Sequence, residues 1–494
     1  MKKKFNFRRL YAGFATLVLL TLTACAGSGT GTSGGREPVN ITVWTYYNGA
    51  QLSAFNTMID EFNETVGKEE GITVTGANLG SVNDLETAVM DAAQGKVGAD
   101  EMPNIFSAYA DNAYALDRMG LLADLNPYLT DEEKSRYIDS FLEEGRISSD
   151  ESLKIFPVAK STELLLINET DFAPFAAACG VSYQDLTTVE GLTLAGEKYY
   201  HWTDEQTPEE NDGKALFGRD AMANYFLVGA AQMGMNLIEV RDNVTTINFD
   251  KEVVRRLWDN YYIPYVKGFF ASSGRFRSDD VKTGNILCYV GSSASATYFP
   301  DTVVIDDSKE HAVTLKVMRV PVFEGGTDCA VQQGAGMVVT KSNERTEAAC
   351  VRFLTWFTER ERNTRFAMES AYLPVTKEAM SMEAIRTVEG TLSPQVENIL
   401  DAAIETMRQS TLYTQKASAY GTAMRDVLEY AMSDLAAQDR EKVLAAIEDG
   451  TEYGAAIAPY TSDDYFDAWY EDTFERLNRY AEEANKQVTE PDGE

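Results

Sequence analysis

Ile41-Thr-Val-Trp-Thr-Tyr-Tyr47 is β-branched and aromatic and reads as a strand. A helix follows, because Phe55, Met58, Ile59 and Phe62 fall at i, i+3, i+4 and i+7. Gly71 closes that unit, and Ile72-Thr-Val-Thr75 is the next strand. Leu85, Ala88, Val89 and Ala92 repeat the helical spacing. Pro103-Asn-Ile-Phe-Ser-Ala-Tyr109 is a third strand, and a helix over 111–120 ends at Gly120. This β-α-β-α-β order requires a parallel sheet with crossover helices. In open sheets of this kind ligands bind beyond the carboxyl ends of the strands. Those ends are Tyr46–Asn48, Asn78–Ser81 and Tyr109–Asn112.

Downstream, Lys154–Ala159 and Leu164–Asn168 are extended runs separated by Lys160-Ser-Thr-Glu163. Residues 197–215 are polar and read as an irregular excursion with a short hairpin at Asn211-Asp-Gly213. Ala221–Met233 is an apolar helix, and Gly284–Val290 is a buried strand ending in Gly291-Ser-Ser293. Strands are expected over 312–322 and 336–340, then a helix carrying Cys350, Phe353, Leu354 and Phe357. Residues 393–447 read as mostly helical, and a last helix covers 463–484. No internal repeat is visible.

Upstream, residues 2–9 are basic and residues 10–24 form an uncharged apolar run. That run is shorter than the ~18 residues of a membrane span and suits a signal-peptide core. It ends in Leu22-Thr-Ala-Cys25, which resembles the bacterial lipobox. The resemblance implies a signal peptide over 1–24, cleavage before Cys25 and acylation of its thiol, as with palmitate. Residues 25–38 then form the lipidated cysteine and a Gly/Ser/Thr-rich flexible linker. Gly29-x-Gly31-x-x-Gly34 follows no strand and opens no helix, so it is no dinucleotide fingerprint.

The 494 residues exceed what one hydrophobic core of ~250–300 residues holds, so two lobes are expected. The net charge is −33, although the first 24 residues are purely cationic. Such a surface repels phosphate backbones and disfavours nucleic acid as a partner. Two histidines, His201 and His311, exclude a multi-His metal site in one chain. Cys288 lies in an apolar run and Cys350 on an apolar helix face, so Cys179, Cys288, Cys329 and Cys350 are read as free thiols. No Walker A, His-Glu-x-x-His or Gly-x-Ser-x-Gly string occurs. Neither a catalytic residue, a metal nor a cofactor is therefore expected.

The order of segments resembles the extracellular solute-binding proteins of bacterial ABC importers, the group that includes carbohydrate binders. Matching stretches are Ile41–Tyr47, Phe55-Asn56, Phe62-Asn63, Pro103–Asn112 and Gly120-Leu-Leu-Ala-Asp-Leu-Asn-Pro-Tyr-Leu129. Lys154–Asn168, Gly291-Ser-Ser293, Val320-Pro-Val322, Glu347–Thr358 and Tyr372-Leu-Pro-Val375 complete the pattern. The resemblance implies an α/β, two-lobed periplasmic-binding-protein fold of type II, with the ligand cleft between the lobes and a helical C-terminal part. Lobe 1 is expected over 39–158 plus 320–374, and lobe 2 over 159–319 plus 375–494. Crossings between them are expected near Pro157–Glu163, Met318–Pro321 and Pro374–Lys377.

The implied function is capture of a small solute, a sugar or oligosaccharide, by hinge closure and delivery to the importer's permease subunits. The receptor would be a lipid-anchored monomer facing outside the cell. A secreted carbohydrate-active lipoprotein enzyme and a ligand sensor for a membrane kinase are the alternatives. A sugar presents ring faces to aromatics and hydroxyls to carboxylates and amides. Tyr46 and Tyr47 alternate faces, so at most one faces the cleft. Tyr109, Asp111 and Asn112 end a strand at the expected crevice, although Asp111 can equally cap a helix. Thr162 and Glu163 lie on the first crossing. Ser292 and Ser293 follow a strand end, where a turn or cap is the competing role. Tyr298, Gln333 and Tyr372 complete the candidate ligand-binding set. Trp44 and Trp356 read as core.

Overall fold

The computed structural model describes residues 37–489 except 149, 307, 308 and 389. The segments read above as signal peptide, Cys25 and nearly all of the linker lie outside the described residues. The first strand is Val39–Thr45, and it runs parallel to Ile72–Asn78 on one side and Ile105–Ala108 on the other. Gly336–Val339 extends this first sheet antiparallel to Ile105–Ala108, and Ile155–Phe156 closes its far edge. Helix Gly49–Glu64 covers one face with Phe55, Met58, Ile59 and Phe62 buried, the residues whose spacing predicts it. Phe62 meets Phe353 and Trp356 edge-on, each at 5.1 Å, which locks helix Glu344–Phe357 onto the same layer.

The second sheet has the order Leu315–Arg319, Glu163–Asn168, Cys288–Ser292, Phe217–Arg219. Glu163–Asn168 is buried along its whole length, which explains its unbroken apolar run. Beyond this sheet lies a helical body whose centre is Trp258 stacked on Tyr262 at 3.6 Å, with Phe466 and Trp469 against them. The two sheets belong to two lobes, and the chain is α/β as expected.

The structure differs from the sequence reading at five places. Helix Val189–Asp204 runs through the supposed excursion, because Leu192, Ala195, Tyr199 and Tyr200 bury one face; the irregular part is only 205–216. The hairpin lies instead at Ile238–Arg241 and Val244–Ile247, turned by Asp242 and Asn243, both at positive φ. The mostly helical stretch is interrupted by strand Thr411–Tyr413, parallel to Cys329–Val331. Of the strand expected over 312–322 only Leu315–Arg319 forms, while Ala312 ends a separate strand, Lys309–Ala312, and the last helix extends to Thr489.

The crossings also shift. Glu163–Asn168 enters the second sheet directly after Ile155–Phe156 leaves the first, so residues 157–162 cross. The segment 320–331, by contrast, stays with the second lobe: Val322 bridges Thr188 and Phe323 joins that lobe's core. The chain returns to the first sheet at 331–335, where Ser161 and Gln333 exchange backbone hydrogen bonds of 2.8 and 3.0 Å. Gly334 sits there at φ +101, with backbone of Ala159 and Lys160 3.1 Å from where a Cβ would be. Leu373 pairs with Lys160 on the other side, but residues 375–377 then bond Arg136 and Ile138 of the first lobe. The chain reaches the second sheet again only with helix Pro394–Gln409.

Candidate functional site

A cavity of about 350 Å³ lies between the lobes. Its first-lobe wall is Glu86 and the strand end Tyr109–Asn112. Its floor is the crossing segment Val331–Gln333, and its second-lobe wall is Asn224, Tyr413, Gln415, Arg425 and Asp426. Each element presents these groups for a local reason. Ser81 caps helix Val82–Ala93, and Glu86 follows one turn later. Helix Ala110–Arg118 begins at the end of its strand, so Asp111 and Asn112 are in its first turn and face the crevice. Strand Thr411–Tyr413 ends at the floor and hands Tyr413 to the wall.

Beneath the floor runs a buried polar chain. Glu163 forms an ion pair with Arg219, both almost wholly buried. Asn224 Nδ2 donates to Glu163 Oε1 at 2.8 Å and lies 3.1 Å from Gln333 Oε1. Arg425 Nη2 donates to Asn224 Oδ1 at 2.7 Å. The pair thus fixes an amide, and the amide aims a guanidinium at the cavity. On the crossing, Lys160 Nζ bonds Glu144 Oε2 at 2.6 Å and Gly334 O at 2.9 Å, which pins the middle strand.

The lobes touch at the rim. Asp111 Oδ1 accepts from Ser418 N at 3.2 Å, and Gln51 Nε2 reaches Ala294 O at 3.3 Å on the opposite edge. Burial, opposed by the Ser418 N–H and Arg425, pushes the Asp111 carboxyl up to about 6. Burial, with the negative charges of Asp111 and Asp426, pushes Glu86 up to about 7. Burial also raises Asp426. The cavity therefore holds carboxylates, amides, one guanidinium and the rings of Tyr109 and Tyr413. Among the described residues no group of three or more His, Cys, Asp or Glu is spaced to hold a metal.

The sequence-derived candidates fall into three places. Tyr109, Asp111, Asn112 and Gln333 line the cavity. Thr162, at the end of the crossing, and Glu163 and Ser293 beside it are buried beneath the cavity: Thr162 Oγ1 donates to Val331 O at 2.8 Å, and Ser293 N to Thr162 O at 2.7 Å. Ser292 caps the short helix Ser293–Tyr298. Tyr46, Tyr47 and Tyr372 form an aromatic cluster beside the cleft, with Tyr47 5.5 Å from Tyr46 and 5.8 Å from Tyr372. Tyr47 is 1% exposed and sits in the core against Phe55 and Phe366. Tyr298 is exposed, with its hydroxyl 3.4 Å from where a Cβ on Gly49 would be. Trp44 and Trp356 are core, as read. Sequence reasoning missed Glu86, Asn224, Tyr413, Gln415, Arg425 and Asp426. Glu86 was within reach of the strand-end rule, one turn beyond Asn78–Ser81; the others carried no signal.

The model of the bacterial extracellular solute-binding protein family matches residues 57–389. No curated protein matches the sequence. The fold is similar to that of the cyclic alpha-maltosyl-1,6-maltose binding protein of Arthrobacter globiformis, at 19% identity over 90% of this chain and 99% of that one, TM-score 0.63. It is similar to the GacH receptor of Streptomyces glaucescens, solved unliganded and with acarbose, at 16% identity over 90% and 100%, TM-score 0.63. An ABC substrate-binding protein of Listeria monocytogenes in complex with cycloalternan gives 18% identity over 90% and 100%, TM-score 0.61.

Proposed function

This chain belongs to the bacterial extracellular solute-binding protein family, and from that premise we propose that it is a receptor that closes its two lobes on a carbohydrate and presents it to an ABC importer. The observation that carries the reading is the cavity between the lobes, whose walls come from both lobes and combine tyrosine rings with amides and carboxylates. Rings suit the apolar faces of a sugar, and the amides and carboxylates suit its hydroxyls. The similar structures solved with acarbose and cycloalternan support the same ligand class.

Closure is a rotation of one lobe on the other about residues 157–162 and 331–335. A ligand shifts that equilibrium only through contacts that exist in the closed form alone, and a wall split between lobes supplies them. Tyr109, Asp111 and Asn112 act from the first lobe, Arg425 and Tyr413 from the second, and Gln333 from the crossing. The polar chain Arg219–Glu163–Asn224 positions Arg425. No group is assigned to chemistry, so the ligand leaves unchanged. The receptor acts as a monomer, held at the outer face of the membrane by lipid on Cys25.

A thermal-shift screen of neutral mono- and oligosaccharides tests the reading. A ligand at 100 times its Kd stabilises the folded state by about 2.7 kcal/mol, which a melting curve resolves. At least one sugar should raise the melting temperature, and Arg425→Ala should remove that rise. A flat response to sugars beside a clear rise with amino acids or peptides would overturn it.

A further inference from the structure

The inner cavity and a second cavity of about 870 Å³ outside it share five wall residues: Glu86, Asp111, Asn112, Thr422 and Asp426. Three carboxylates therefore stand at the neck between the two spaces. The ion pairs around them are made by other acids: Glu144 holds Lys160, Glu163 holds Arg219, and Asp91 holds Lys96. Arg425 lies near Asp111 and beside Asp426 on its own helix, and its Nη2 is directed to Asn224. Arg118, on the outer side, donates to Gln487 O at 3.4 Å.

The unsatisfied groups are acceptors as well. Gln332 is 4% exposed and lines the inner cavity; its Nε2 donates to Glu144 and Ser140, while its Oε1 has no partner. Asn112 Oδ1, at the neck, is also buried without a partner. The inner cavity thus has one cationic side chain, Arg425, beside its carboxylates and amides. Among the described residues no group of three or more His, Cys, Asp or Glu is spaced to hold a metal ion.

Resting on the carbohydrate reading above, we propose that the solute carries a protonated amine, as an amino sugar or amine-bearing oligosaccharide does, with its ammonium at Glu86, Asp111 and Asp426. An ammonium brings three donors and no acceptor. Its rings lie against Tyr109 and Tyr413. A cation within ~4–6 Å of a carboxylate favours the ionised form. Binding therefore offsets the burial and the neighbouring negative charges that raise Glu86, and releases protons.

The test is calorimetry on the protein at about pH 6.5, below the ordinary pKa of an amine, in two buffers of different ionisation enthalpy. The probes are a glucosamine trimer, its fully N-acetylated counterpart and maltotriose. The amine trimer should bind about tenfold tighter than the N-acetylated one, the step between a charge-assisted and a neutral hydrogen bond, and should release protons. Glu86→Gln and, separately, Asp426→Asn should bring that ratio towards one without lowering the melting temperature of the unliganded protein. Equal or tighter binding of a neutral trimer overturns the amine and leaves the carbohydrate reading standing. A ratio unchanged in both variants also overturns it. Binding of none of the three overturns the amine and, joined to a flat sugar screen, the reading beneath it.

Discussion

Gly421→Ala separates closure from folding. Gly421 opens helix Gly421–Tyr430 of the second lobe, and a Cβ there would overlap the carboxyl of Asp111 from the first lobe, 2.6 Å from Oδ2. The added methyl must displace that carboxylate from Ser418 N, a hydrogen bond that exists only when the lobes meet. A hydrogen bond to a charged group is worth about 1.5–3 kcal/mol. Ligand affinity should therefore fall about 10- to 150-fold. Within its own lobe the change is tolerated, since Gly421 is not at positive φ and the three nearest atoms to the added Cβ all belong to Asp111. The unliganded protein should melt no lower than the parent. The assay is a calorimetric titration with the tightest sugar from the screen, beside a melting curve without ligand. Asp111→Ala should cost a similar amount, and the double variant should be less than additive. Unchanged affinity in Gly421→Ala would refute the reasoning, because the contact would then play no part in the bound state.

Four further outcomes follow from the same geometry. The Asp111 and Glu86 carboxyls are raised from 3.8 and 4.5 to about 6 and about 7 when the lobes meet, so the closed form binds protons more tightly than an open form with solvated carboxyls. Its advantage is present at low pH and is lost as pH rises through those values. Scattering from the unliganded protein should show expansion over that window, and a flat profile would contradict it. Glu163→Gln leaves Arg219 buried without its anion and should cost about 3–5 kcal/mol in a denaturant titration; a loss below ~1 kcal/mol would mean the pair is solvated. The four described cysteines are free, and burial pushes Cys329 up to about 11 and Cys350 up to about 12. A thiol reagent should thus react with the half-buried Cys179 first and with all four only on unfolding, so fewer than four after unfolding without reductant would reveal a disulfide. Cys25→Ser should abolish incorporation of a fatty-acid label.

The first lobe was legible because its signals are local. The spacing of Phe55, Met58, Ile59 and Phe62 marks a buried helix face, and the strand-end rule led to Tyr109, Asp111 and Asn112 at the cavity wall. Tyr47 shows the limit of that rule: alternation assigned it one of two faces, and only packing against Phe55 and Phe366 decides which. The second wall was not legible. Thr411–Tyr413 is three residues long, too short to show a period, and its partner Cys329–Val331 is far off in sequence. Arg425 and Asp426 sit on an ordinary amphipathic helix and gain meaning only when that helix meets the neck of the cavity. The crossings shifted for a related reason: Val320 and Pro321 follow a strand, but Phe323 finds its apolar partners in the second lobe and holds the chain there until Val331.

Small-angle scattering tests the central claim most directly. The protein is measured alone and with saturating amounts of the tightest carbohydrate found by melting, above the pH at which the unliganded form opens. Closure about 157–162 and 331–335 predicts a smaller radius of gyration with sugar, and no such change in Gly421→Ala at the same sugar concentration while its sites remain largely empty. A tightly bound sugar that leaves the scattering of the parent protein unchanged would contradict the account.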